Sequence, residues 1–152
     1  MDKRNLQIAQ LERKFKDFTF ARNTVMPPTG WIKAVRLSLG ISLQQLANKL
    51  SIAKQSVQEI EQREKEETIT LKSLREAANA LDMELVYGLV PKDGTLDALI
   101  ERKARKLATD IVMRTSQQMK LEDQETSEER IKAAIAERTT AISQKMPKAL
   151  WD

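Results

Sequence analysis

The sequence predicts a mainly α protein: a bundle of short helices, one short β-strand, and a helical extension. Three observations lead there. Only four Gly and four Pro interrupt 152 residues, and they cluster at 27–30, 40, 88–94 and 147. Between those breaks, apolar residues recur at three- and four-residue spacing, which lines one face of a helix. Only Met83 to Val90 loses that spacing, in a run rich in strand formers that ends at Pro91. Residues 1–94 are therefore expected to form one unit, and 95–152 a helical extension for dimerisation or partner binding.

Taken in order, residues 3–22 carry Ile8, Leu11, Phe15 and Phe18 on one helix face. Asn23 to Gly30 is a linker, because Pro27-Pro28 removes donors and biases the preceding residue away from helix. Residues 31–39 form a short amphipathic helix through Ile32, Val35, Leu37 and Leu39, ended by Gly40. Ser42-Leu43-Gln44-Gln45 reads as a capping box, in which serine accepts from the third helical amide and glutamine reaches back. Leu43, Leu46, Ala47 and Leu50 give that helix its stripe. After the tight turn Ser51-Ile52-Ala53, a helix is expected over 54–62, then a charged loop over 64–69. Residues 70–81 form another helix, burying Leu71, Leu74, Ala77, Ala78 and Leu81. A long helix follows from Gly94-Thr95 to about Lys120, with Leu96, Leu99, Ile100, Leu107, Ile111 and Met119 on its stripe. Thr126 and Glu129 form a second capping box, which opens a last helix with Ile131, Ile135 and Ile142.

Composition excludes several classes. Without Cys or His, the chain has no thiolate nucleophile, imidazole base, Cys/His metal site or disulfide. No catalytic constellation is visible, so no enzyme, cofactor or metal is expected. The first residues lack the apolar run of a signal peptide and no segment reaches the roughly 18 apolar residues of a membrane span, so a soluble cytoplasmic protein is expected. Charge is uneven: residues 1–41 hold eight bases against three acids, 42–94 seven against nine, and 95–152 eleven against ten. The basic N-terminal quarter suits a polyanionic partner. Its first helix either adds phosphate contacts or simply presents a solvated basic face.

The informative stretch is 42–62. Two short helices separated by three residues must cross steeply, and Ala47 is small enough for the close approach. Leu46, Leu50, Ile52, Val57 and Ile60 lock the pair. Lys54, Gln55, Ser56, Gln58 and Glu59 remain at the exposed start and face of the second helix. That is the layout of a helix-turn-helix whose second helix enters the DNA major groove. Its chemistry suits base edges: Gln pairs with adenine, Lys with guanine, and Glu accepts from cytosine. Glu61 reads as a structural partner for a nearby base or amide.

From Val35-Arg36 through Gly40-Ile41-Ser42-Leu43-Gln44-Gln45-Leu46-Ala47 to Lys54-Gln55-Ser56-Val57 and Ile60-Glu61, the chain resembles the Xre-type, phage-repressor-like DNA-binding family. Residues 71–81 match that family's closing helix. A wider resemblance is to the bacterial family called mobile mystery protein A. It runs from the N-terminal helix through Gly30-Trp31-Ile32-Lys33-Ala34 to Leu81-Asp82 and Glu84-Leu85-Val86-Tyr87, about two-thirds of the chain. The Xre resemblance implies a phage-repressor-like fold in which Lys54, Gln55, Ser56 and Glu59, with Gln58 beside them, face the bases. It also implies that Ser42, Leu43 and Gln44 sit against a phosphate, to which Arg36 and Lys33 are added as backbone contacts. The wider resemblance implies a Fic-domain partner and an antitoxin-like regulator. Two positions depart from the Xre pattern. Ser51 replaces the usual turn glycine, at around 1 kcal/mol for a left-handed residue. Ala53 replaces the usual Ser/Thr cap, removing about 1 kcal/mol.

The expected function is a sequence-specific regulator of transcription, binding double-stranded DNA as a homodimer on an inverted repeat. The alternative is an antitoxin that chiefly holds a Fic-domain protein. The strand offers the dimer contact: Leu85, Val86, Tyr87 and Leu89 are its candidate residues, because this chain has no second strand to pair the backbone. The common Fic-inhibitor motif, Ser/Thr followed four residues later by Glu, is absent from the sequence, so inhibition by that helix is not expected.

Overall fold

A computed structural model describes residues 2–121 and 127–152, residues 119–121 by their backbone alone. The helices are α1 (Lys3–Phe18), α2 (Trp31–Ser38), α3 (Leu43–Leu50), α4 (Lys54–Lys65), α5 (Leu71–Ala80), α6 (Leu96–Leu121) and α7 (Glu128–Lys145). Short 3-10 turns lie at Thr19–Asn23 and Lys148–Trp151. No described helix is long and apolar enough to cross a membrane.

The chain divides into two compact units, but not at residue 94. One unit is Phe20–Gly88; the other joins the residues up to Thr19 with Leu89–Asp152. The sequence-based boundaries, 1–94 and 95–152, are corrected accordingly. The first helix belongs with the last ones because of three interactions. Ile8 packs against the core made by α6 and α7. Glu12 accepts from the Leu96 amide at the start of α6. Arg4 donates to the Met146 carbonyl at 3.2 Å, at the end of α7. Its inward face therefore runs through Ile8, Glu12, Phe15 and Phe18, and Leu11 is left exposed.

In the Phe20–Gly88 unit, the core is Ile32, Leu46, Ala47, Val57, Ala77, Ala78 and Leu81. Helix starts follow the expected chemistry: Ser42 and Gln45 form the complete capping box, and Thr70 accepts from the Ser73 amide at 3.1 Å. Three residues expected inside lie outside. Leu37 sits five positions beyond Ile32, more than a third of a turn off its face. Leu39 falls past the helix end, and Leu71 occupies the first position of α5; all three are at least half exposed. Conversely, α4 runs one turn further than expected, so that Glu64 and Lys65 are helical rather than in a loop.

In the second unit α7 packs along α6. Ala104 and Ala108 are fully buried on the α6 side, Ile142 and Met146 are buried on the α7 side, and Leu150 is brought in by the last 3-10 turn. Thr95 caps α6 by accepting from the Ala98 amide at 3.0 Å. The α7 cap is Ser127, which accepts from the Arg130 amide at 3.3 Å; Thr126, expected in that role, lies outside the described residues.

Residues 83–90 carry no regular secondary structure in the single chain. Leu85 packs against the core of its unit, whereas Val86, Tyr87 and Leu89 are 75%, 60% and 77% exposed.

Candidate nucleic-acid interface

The three-residue turn between α3 and α4 is built by Ser51. It adopts the left-handed conformation (φ 55°) and donates back to the end of α3, and Ile52 donates to the Ala47 carbonyl at 3.0 Å. A left-handed residue closes a helix by satisfying its last carbonyls, a position usually given to glycine for its conformational freedom. Here serine takes that conformation. Ala53 precedes α4 with no side-chain cap, as its chemistry requires.

What orients α4 is its buried side. Val57, Glu61 and Glu64 recur at spacings of four and three, and all three are buried. Gln55 and Glu59 are exposed on the opposite side, Lys54 is exposed at the first position of the helix, and at its flanks Gln58 is exposed and Ser56 half-buried. All five lie in the first two turns of one helix. Glu59 also meets Arg63 at 3.7 Å across one exposed turn.

Two carboxylates, one turn apart on α4, fasten it to α2. The Arg36 guanidinium donates to Glu61 through Nη2 at 2.8 Å and Nε at 3.0 Å, and its Nη1 reaches the Ile41 carbonyl at 3.1 Å. The side chains are only 7% and 6% exposed. A buried pair persists when each partner's hydrogen bonds are met, and this one is. Arg36, expected at the DNA backbone, is buried, and these bonds hold its guanidinium within the fold. Glu61 has the structural role expected of it.

Glu64 is the residue that sequence reasoning missed. Its Oε2 accepts from the Trp31 amide and its Oε1 from the Ile32 amide, both at 2.9 Å. Carboxylate oxygens there satisfy orphan donors of a helix start and meet the positive end of its dipole. Gly30 makes room: it has φ +89°, and a Cβ would lie 2.8 Å from Glu64 Oε1. The signal was present in Gly30-Trp31, since a helix opening on glycine has no side-chain cap of its own and needs an acceptor from elsewhere.

The other candidates gather at one place. Lys33, Leu43 and Gln58 line a common cleft of about 260 Å³ with Thr29, Gln62 and Lys65, and the Arg36–Glu61 pair forms part of its wall. Lys65 was absent from the sequence-based set because the helix was expected to end at 62; Gln62 was read only as its last residue. Ser42 spends its hydroxyl on the Gln45 amide at 3.0 Å. Gln44 is exposed and donates to Asn48 at 2.8 Å. The start of α3 thus adjoins a cleft that carries two lysines, an arrangement able to receive a phosphate through backbone amides and ammonium groups. Leu85, Val86, Tyr87 and Leu89 lie on the separate segment described above. Among the described residues no cluster of acidic side chains could hold a metal.

Comparison with known proteins agrees with this geometry in one stretch. No curated protein and no solved structure matches the chain. The family model described as helix-turn-helix matches residues 32–87, the span from α2 into the irregular segment after α5. Residues 32–87 are a helix-turn-helix domain of the Xre-like kind.

Proposed function

We propose that the protein is a sequence-specific regulator of transcription that reads duplex DNA with the start of α4. One observation carries the reading. The helix buries Val57, Glu61 and Glu64, which leaves Lys54, Gln55, Ser56, Gln58 and Glu59 on its outward side, where side chains reach base edges once the helix enters the major groove. Lys33 and the start of α3, with Ser42, Leu43 and Gln44, hold the backbone, and Lys65 and Gln62 join them in the cleft. The protein acts as a cytoplasmic homodimer on an inverted repeat, with half-sites about one helical turn apart. It is not an enzyme.

The resemblance to the mobile mystery protein A family extends this to an antitoxin that represses its own operon and pairs with a Fic-domain protein. In the second reading, holding that partner is the main task and DNA binding is secondary. Selection of binding sites from random duplex DNA by the purified protein tests the first reading. An inverted repeat should emerge. On the selected sequence, Gln55→Ala should cost about 1–3 kcal/mol and relax preference at one base pair. Lys33→Ala should weaken all duplexes alike and flatten the salt dependence. Recovery of no preferred sequence, together with tight binding to a Fic-domain protein, would favour the second reading.

A further inference from the structure

The Phe20–Gly88 unit has an apolar cleft of about 550 Å³, well away in sequence from α4. Trp31, Val35 and Leu74 line it from the helices, and Met83, Leu85 and Val86 from the segment after α5. We infer that a second copy of this chain covers the cleft, the two 85–89 segments pairing antiparallel about a two-fold axis at Tyr87; this deepens the homodimeric reading above and rests on it.

Three observations converge on that occupant. First, the segment is a chain of backbone donors and acceptors without regular pairing, and an extended edge of that kind is a template for another strand. Second, the large side chains beside it face water: Val86, Tyr87 and Leu89 are 75%, 60% and 77% exposed, and Trp31 and Met83 on the cleft are each 44% exposed. Third, the segment is complementary to itself. An antiparallel pair centred on Tyr87 sets Leu85 opposite Leu89 and Val86 opposite Gly88. Residues 85, 87 and 89 share one face of such a strand, and Leu85 already packs on the core. The copy's Leu89 would then arrive beside Leu85 at the edge of the cleft, and the reverse contact follows by symmetry. A small apolar molecule could fill a cavity of this size, but it would leave the backbone of 85–89 unpaired. A second copy satisfies both the cleft and the backbone.

The chain has no cysteine, so a single introduced thiol reports on one position alone. Residues paired across an antiparallel ladder have Cα atoms about 4.5–5.5 Å apart, within disulfide reach. In the full chain, Tyr87→Cys should therefore give a disulfide-linked dimer under mild oxidation, while Val25→Cys, on a more exposed residue, should not. Sedimentation equilibrium should give a dimer mass for the unaltered protein. The doubly substituted Tyr87→Glu, Leu89→Glu protein should give a monomer mass with unchanged helical circular dichroism, since both side chains are exposed in the single chain. A monomer mass for the unaltered protein, or a dimer mass that survives the double substitution, overturns the inference. So does a small molecule retained by the monomer in native mass spectrometry and lost on Val35→Trp. If the dimer and the Tyr87 cross-link stand while no DNA sequence is selected, the DNA reading fails and this inference survives. A monomer that selects a single half-site keeps the DNA reading and overturns the dimer.

Discussion

The two units of this chain are both helical and are held together by different means. In Phe20–Gly88, aliphatic side chains from four helices meet around Ala47, Ala77 and Ala78, and two acids of α4 are buried against α2. In the other unit, Ala104 and Ala108 let α7 lie close along α6. Its Arg105–Glu101 pair stays exposed, at 3.1 Å with side chains 55% and 62% exposed. Its buried polar groups are hydroxyls: Thr139 returns its proton to the Ile135 carbonyl at 2.7 Å, and Ser143 Oγ has no partner among the described residues. One device is common to both. A glutamate distant in sequence accepts from the first amide of a helix: Glu64 at α2, and Glu12 at α6. The comparison shows what a reading helix needs. Packing alone can hold an antiparallel pair of long helices, but α4, twelve residues long and exposed on one side, gains its fixed direction from charged groups with directional hydrogen bonds.

The largest way to break that contrast is at Arg36. Arg36→Ala strands the Glu61 carboxylate in the core and should destabilise the protein by about 3–5 kcal/mol in denaturant unfolding. Replacing both members of the pair by Met and Leu should recover most of the loss. Removal of Glu101 from its exposed pair should cost no more than about 0.5 kcal/mol. Similar losses at the two places would remove the distinction between the units.

The two glycines at helix starts sharpen it next. Gly30 has φ +89° and Gly94 φ +91°, but only Gly30 has a neighbour, Glu64, where a Cβ would go. Alanine at Gly94 should cost the backbone term alone, about 1 kcal/mol. Alanine at Gly30 adds displacement of a capping carboxylate and should cost about 2–4 kcal/mol; equal losses in thermal melts would mean that Glu64 gives way without consequence. In the second unit, Ala108→Leu tests the close seam. Overpacking there should cost about 1–3 kcal/mol, and it should leave non-specific duplex binding by the helix-turn-helix intact in a low-salt shift assay.

The smallest effect concerns Asp93, whose carboxyl is held below its ordinary value of 3.8 mainly by the hydrogen bond from Arg102, at 2.7 Å. A depressed carboxylate stabilises the fold above its unfolded value and loses that contribution as pH falls through the folded one. Asp93 is half-buried but its partner Arg102 is exposed, and the effect is slight. Asp93→Asn should lower the melting temperature a little at pH 6 and make no difference near pH 2; a gap that persists at pH 2 would point to lost shape rather than lost charge.

Much of this was legible along the chain. The short helices and the capping box at Ser42 followed from local rules: apolar spacing, Gly and Pro as breaks, and a serine three residues before a glutamine. The outward set on α4 followed too, because Val57 and Ile60 fix which side of a helix faces in. Local rules fail where a residue's partner is distant in sequence. Arg36 looked like a phosphate contact because nothing nearby announces a buried acid 25 residues on. Glu64 looked like a loop charge because its partners are amides 32 and 33 residues away.

Periodicity therefore determined the helices and the candidate reading surface of this protein, since both depend on spacing within a single element. Tertiary structure alone decided which charges are buried and that α1 packs with α6 and α7. The physical reason is the same in each case. A helix's stripe says which residues can be covered; whether they are covered, and by what, depends on where another part of the chain arrives.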